Sequence, residues 1–487
     1  MSLQARIPGA LSASSEVVRC APYASDRDTQ DGFAPAAVVA PKRLEDVQAL
    51  VKWANDASVP IVPVSSTGPR RRGDTVPQAP GSVVADLSGL QRLIHADRRD
   101  KIAIIEPGVN VGMIDDLLRP HDLRAYRPLK PRAGKSVLTS YLDREPTLVP
   151  DMQWDISDPF GGTAMVLGNG DLCKTGGAAV EGTLEQQLKR GHRQLFAAGP
   201  AHIDLVRITQ GAQGSLATMV WGAIYCEPIP TVEKSYFASA DSLGTLVALA
   251  RDLLNRRLCS SLFIADAVQL AMLIGKSQDD LDRLSAELPA WTIFVSLAGY
   301  QHRPEQRVQW QNKDLVACAK THGADLTEHL AGVSAETFAA DLRLSEQGQY
   351  QDKFLGNHKE LFFLQSFSNL ETVVAAGSKG LKAGPLAARK IGTYIQPMVQ
   401  GTFCHIAFTL PCSPEETRTG MPIDAQWREA IAACDAAGAF FSRPYGEWFD
   451  LAFRNAPNAI RMMSSAKTIL DPKGIMNPKR LPYEGTR

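Results

Sequence analysis

The chain has no charge excess of either sign, no long apolar run and no closely spaced cysteines, and each absence removes a class of function. Its 52 basic and 52 acidic side chains cancel over 487 residues. A general nucleic-acid binder carries a basic surplus, so that class is set aside, although a local basic groove for a small anion stays open. No segment approaches the roughly 18 apolar residues of a membrane span. The N-terminal stretch MSLQARIPGALSASSEVVRC lacks a basic start followed by an apolar run, so the expectation is a cytoplasmic protein with no membrane span. The eight cysteines, at 20, 173, 226, 259, 318, 404, 412 and 434, never fall into CxxC spacing, which predicts free buried thiols and no metal site. There is no GxxxxGK[ST], HExxH or GxSxG, so P-loop, zinc-protease and serine-hydrolase chemistry lack their minimum equipment. Gly168 and Gly170 open a dinucleotide fingerprint, but Cys173 stands at its third position and a hairpin follows. A conventional Rossmann site is thereby excluded. Internal repeats and low-complexity tracts are absent as well.

What is present is the mixture of a folded globular protein, 44% hydrophobic and 21% charged, long enough for two or three domains and a large buried ligand. Residues 41–56 carry Leu44, Val47, Leu50, Val51 and Ala54 on one helical face, and a short strand, Ile61 to Val64, follows. Further strands are predicted at 82–87 and 102–106, a helix at 111–118, and a hairpin around Asn169-Gly170-Asp171 within 165–177. Beyond the prolines at 228 and 230 the texture changes: helical patterns at 241–258, 304–322 and 424–438 alternate with β-prone runs at 291–299, 361–367 and 402–410. This predicts a second, α+β domain with an antiparallel sheet under helices. The tail, 464–483, reads as a helix stopped at Asp471-Pro472 before a return to the first domain.

The loop VPVSSTGPRRRGDT, 62–75, raises the question of phosphate binding. Successive amides in a tight turn cradle an anion and small residues let it approach the backbone. A guanidinium fork adds charge-assisted bonds, the alternative being three solvated surface charges. In order along the chain, this loop, IIEPGV, the GNGD turn, GAQGSL and LDPKGIMNP resemble the vanillyl-alcohol oxidase and p-cresol methylhydroxylase (PCMH-type) superfamily of FAD flavoproteins. The resemblance covers most of 34–230 and the last 25 or so residues. It implies an α+β protein: a two-part PCMH-type FAD-binding domain, 1–230, a ferredoxin-like α+β substrate (cap) domain with an antiparallel sheet, 231–450, and a segment returning to the FAD domain, 451–487. The pyrophosphate loop would be Ser65, Ser66, Thr67, Gly68, Arg70 and Gly73, the second flavin turn Gly211, Gln213, Gly214 and Ser215, and the C-terminal contact Asn477. Thr139 and Ser140 stand where the family has a Gly-Gly step. The loop histidine that bonds flavin covalently in many relatives is replaced by Pro69 and Arg70 to Arg72, which implies non-covalent FAD.

The resemblance also implies a hydride leaving a substrate carbon for the flavin, and a side chain polarising or deprotonating the adjacent oxygen. The candidates are Arg443, to pair with a carboxylate or phenolate, Tyr445, to hydrogen-bond or deprotonate the reacting oxygen, and His405 as base. Each has a plain structural alternative: an interdomain ion pair, packing, and a hydrogen-bonded strand histidine. His192, His358, Tyr394, Asp155 and Asp158 are unranked additions. RPYG replaces the GEHG motif of the hydroxy-acid members, against a metal-assisted α-hydroxy-acid site. The expected function is an FAD-dependent oxidoreductase acting on a small alcohol, phenolic side chain or hydroxy acid. The alternative is an electron-transfer or assembly subunit of a larger complex without substrate chemistry. Partners are a small-molecule substrate, with an electron-accepting protein subunit and a homo-oligomer left open.

Overall fold

The computed structural model describes residues 7, 13–14, 17–29, 32–151, 159–199, 204–346, 348–382, 384–419 and 423–483. Four-, six- and seven-stranded sheets and a small ribbon organise them. In the first sheet Ala37–Val39, Val83–Asp86 and Ile61–Val64 run parallel, with Ala13–Ser14 antiparallel at the edge. Their runs AVV, VVAD and IVPV are almost wholly apolar, as strands covered on both faces require. The helix Leu44–Ala57 connects two of them and buries Val47, Leu50, Val51 and Ala54. Glu45 and Asp46 complement the dipole of its first turn, and Ser58, at φ 53°, ends it in a left-handed turn. Burying one such Val or Leu stabilises the fold by about 1.5–3 kcal/mol, so Leu50→Asp would unseat the layer.

The second sheet has the order Leu93–Asp97, Ile102–Ile105, Ala217–Pro228, Phe160–Leu167, Leu172–Lys174, with Leu123–Ala125 also on the long strand. The predicted hairpin is present: Phe160–Leu167 pairs antiparallel with Leu172–Lys174, and Asn169 Oδ1 accepts from the Asp171 amide at 3.0 Å to close the turn.

The third sheet is antiparallel throughout, in the order Asp325–Thr327, Val232–Ala240, Trp291–Gly299, Ser261–Asp266, Gly392–Met398, Phe403–Cys412, Asn357–Ser366. One apolar core joins it to the helices Leu243–Asn255, Pro304–His322, Leu370–Leu381 and Ile423–Ala436 through Leu253, Leu315, Val373 and Trp427. Cys404, Ile406 and Phe408 enter that core, and the period of two turns His405 to the other face.

After the helix Pro457–Leu470 the chain lies against the first sheet, where the Ile61 amide donates to Ile475 O at 2.8 Å. Among the described residues no helix is long and apolar enough to cross a membrane.

Candidate active site

The first sheet ends in a loop whose direction is set by two consecutive left-handed residues, Arg72 at φ 71° and Gly73 at φ 70°. Above it sits the turn at 211–215, with Gly211, Gln213 and Gly214 all at positive φ. Gly214 is required there: a Cβ would stand 2.7 Å from the Pro63 ring. Asn477 fixes the two turns together, its Nδ2 donating to Asp74 O and Gln213 O, each at 2.8 Å. Its own position is set by Asp471, which accepts from the Ile475 and Met476 amides at 3.1 and 2.8 Å, and by Lys467, which donates to Ser215 O and Met476 O at 2.6 and 2.9 Å.

These turns bound a narrow channel of about 100 Å³, lined among others by Ser65, Ser66, Thr139, Gln213, Gly214 and Thr218. The Ser65 and Thr139 hydroxyls lie 2.6 Å apart. The side-chain oxygens of Thr75 and Thr218 are buried there with no partner in the described structure, which leaves polar atoms waiting for a ligand. The channel shares Ser66, Asp74, Thr75, Thr139 and Asp143 with a cavity of about 350 Å³ that opens under the seven-stranded sheet.

The second cavity gathers Arg443, Tyr445 and His405, the three catalytic candidates. Arg443 is 5% exposed, and its guanidinium stacks 4.0 Å from the Phe362 ring centre. Its Nη2 meets His405 Nδ1 at 3.4 Å, while Nη1 is buried without a partner. Burial, with the Arg72 charge, draws the guanidinium down to about 10. Burial and then the Arg443 and Arg72 charges hold His405 well below its ordinary value, so it is neutral at pH 7. The Tyr445 hydroxyl donates to Asp143 Oδ1 at 3.3 Å. Burial and then Asp143 push its pKa well above the usual phenol range, so Tyr445 keeps its proton and acts as a donor. The geometry removes it as a resting base.

Sequence reasoning missed the charged floor beneath these groups. Arg72 reaches Glu360 at 3.2 Å and Glu145 at 3.5 Å and lies 4.8 Å from the Phe362 ring centre. Lys135 bridges Asp143 at 2.7 Å and Glu145 at 3.2 Å. Burial alone would raise Glu145, but Lys135 and Arg72 bring it down to about 2. The only signal in the sequence was the charge density of RRR and LDREP, which carries no spacing.

The remaining expected residues scatter. Thr67 and Gly68 line a depression of about 560 Å³ beside Arg19, Tyr23 and Arg27, which adjoins the channel at Ser66. Arg70 borders both that depression and the substrate cavity, its guanidinium 4.3 Å from the Tyr23 ring centre. Ser140 turns to Glu145 at 2.6 Å, Ser215 to Tyr483 at 2.6 Å, and Gly211 sits against the Arg144 guanidinium. Gly73 is buried and its amide donates to the Asp26 carboxylate. His358, with Asp352, and Tyr394 line the cavity, whereas His192 is exposed. Asp155 and Asp158 lie outside the described residues.

Comparison with known proteins agrees with this geometry. Residues 35–134 match the FAD binding domain and residues 450–481 the C-terminal domain of FAD linked oxidases. The flavoprotein subunit of 4-cresol dehydrogenase [hydroxylating] from Pseudomonas putida is 23% identical over 92% of this chain and 88% of its own. The mitochondrial D-lactate dehydrogenase [cytochrome] of Arabidopsis thaliana is 26% identical over 92% of this chain and 73% of its own. The crystal structure of p-cresol methylhydroxylase with substrate bound superposes with a TM-score of 0.80 at 19% identity, covering 99% of this chain and 96% of that one. FAD is the cofactor of these families, and the polar lining that the channel shares with the adjoining cavity suits it. Orphaned hydroxyls and a glycine turn that no side chain could enter are what a dinucleotide needs. Ser65, Ser66, Thr139, Gln213 and Gly214, which line the channel, are the residues that would hold it.

Proposed function

Because this chain belongs to the PCMH-type superfamily of FAD-dependent oxidoreductases, we propose that it dehydrogenates the side chain of a small phenolic compound held in the cavity beside Arg443. The observation that carries the reading is the Arg443 guanidinium, buried with Nη1 unpaired inside a cavity walled by Phe362, Tyr350, Tyr394 and Trp448. An aromatic ring fits those walls, and an ionised phenol oxygen satisfies that nitrogen by a charge-assisted bond. Tyr445, by turning its hydroxyl from Asp143, supplies a second hydrogen bond to the oxygen. FAD, when bound, accepts the hydride, and it is held without a covalent bond. Residues 1–230 and 451–487 hold the cofactor and 231–450 cover the substrate. A protein electron acceptor fits this reading, since the Pseudomonas relative is a flavoprotein subunit.

Anaerobic addition of 4-ethylphenol or 4-hydroxybenzyl alcohol to the FAD-loaded protein is expected to bleach the visible flavin band. Bleaching by lactate or glycolate with none by the phenols overturns the phenolic assignment in favour of hydroxy-acid oxidation. Reoxidation by air compared with added cytochrome then separates the electron acceptors.

A further inference from the structure

Hydride removal from an alcohol carbon leaves the hydroxyl proton to be placed, and the cavity offers few groups free to take it. Six lining carboxyls are committed: Asp28 to Arg71, Asp143 and Glu145 to Lys135, Glu360 to Arg72, and Asp424 and Glu447 to Lys359. Tyr445 is held protonated and His405 sits between two guanidinium charges that oppose a third positive charge. Asp74 differs from all of these. Its backbone is fixed by the Asn477 bond to its carbonyl, while its carboxyl group has no hydrogen bond or ion pair among the described residues and lines both the cofactor channel and the substrate cavity.

We propose that Asp74 is the proton acceptor of the reaction. One carboxylate oxygen takes the proton of the hydroxyl on the reacting carbon, the phenol oxygen being already ionised on Arg443, as the C–H electron pair leaves that carbon as hydride for FAD, giving the aldehyde or ketone, reduced cofactor and a neutral Asp74 that returns its proton to water. The assignment rests on the cavity being a site of alcohol or phenol dehydrogenation. The groups facing Asp74 are Asp143 at the end of the helix Val137–Leu142, Lys135 before that helix, Arg480 of the tail and Asp26 of the N-terminal loop. Burial and then Asp143 raise the Asp74 pKa to about 6, against Arg480 and Lys135. Such a base is ionised at neutral pH and still close enough to it to be reprotonated.

The test uses the FAD-loaded protein and its Asp74→Asn and Asp74→Glu variants. A pH titration of the flavin spectrum, without substrate, is expected to show a transition near 6 that Asp74→Asn abolishes and Asp74→Glu moves. Anaerobic bleaching by 4-hydroxybenzyl alcohol should slow about tenfold per pH unit below that midpoint, and Asp74→Asn should lower the plateau at least about 100-fold and flatten the profile. An unchanged midpoint in both variants, or full bleaching rate in Asp74→Asn, overturns the proposal. If Asp74→Asn fails to hold FAD, Asp74→Glu decides, and an unmoved midpoint counts against Asp74. Should no phenol or alcohol bleach the wild-type flavin, the substrate reading fails while the titration still judges Asp74.

Discussion

At the scale of single residues, three consecutive arginines all border one cavity but take different partners. Arg70 stacks on Tyr23, Arg71 ties Asp28 to Asp352 and Asn357, and Arg72 enters the cavity. No side-chain preference announces this, because the divergence comes from the left-handed turn at Arg72 and Gly73 rather than from residue type. Arg443 was legible, since a guanidinium and a phenol in FFSRPYGEW read as recognition groups wherever the fold put them. Its role gives the first prediction. On the proposed phenolic reading, Arg443→Met removes the charge that would face the substrate oxygen and, with it, a hydrogen bond to an ionised group worth about 1.5–3 kcal/mol. The KM for 4-hydroxybenzyl alcohol, or the Kd of a phenolate inhibitor, is expected to rise roughly 10- to 100-fold. The His405 pKa should rise as well, because one of the two charges depressing it is gone; NMR titration of the imidazole checks this, and an unmoved pKa would place Arg443 elsewhere.

At the scale of elements, the helices were readable because their apolar positions repeat cleanly: the predicted 304–322 forms as Pro304–His322, and 41–56 as Leu44–Ala57. The strands Ser261–Asp266 and Gly392–Met398 were not anticipated. Both lie in the middle of the sheet, buried along nearly their whole length, so they show neither the alternation of a half-exposed strand nor a period of their own. The two turns proposed to hold the cofactor stand out by motif, but the hydrogen bonds that lock them do not, because Asn477 joins segments separated by 264 and 403 residues. Asn477→Ala removes both bonds and leaves two buried carbonyls unsatisfied, a cost of about 1–3 kcal/mol for each group so exposed. We expect a lower Tm and a weaker hold on FAD, read as faster flavin loss on gel filtration, with the wild-type bleaching rate kept in whatever fraction stays loaded. A variant that keeps its FAD but loses the rate would instead put Asn477 in the chemistry.

At the scale of the whole molecule, the channel is walled by segments of the first and second sheets and by the helix between them. Ser65 and Asp74 come from the first sheet's loop, Leu138 and Thr139 from the helix Val137–Leu142, and Met165 and Met219 from the second sheet. The substrate cavity adds His358, Phe362 and His405 from the third. A ligand that fills such a junction binds the folded chain and finds no comparable site in the unfolded one, so it stabilises by RT ln(1 + [FAD]/Kd), about 2.7 kcal/mol at a free concentration about 100 times Kd. The Tm of the apoprotein should therefore climb with added FAD and continue to climb after the visible spectrum shows saturation, because the linkage depends on free ligand rather than on occupancy. Non-covalent binding adds a second expectation: acid precipitation should pass the flavin into the supernatant. Flavin retained in the pellet would mean a covalent bond to a side chain lining the cavity, and the stabilisation would then be independent of free FAD. The two measurements must agree, since a cofactor that washes out cannot stabilise independently of its concentration, and one that is bonded to the chain cannot make Tm follow mass action.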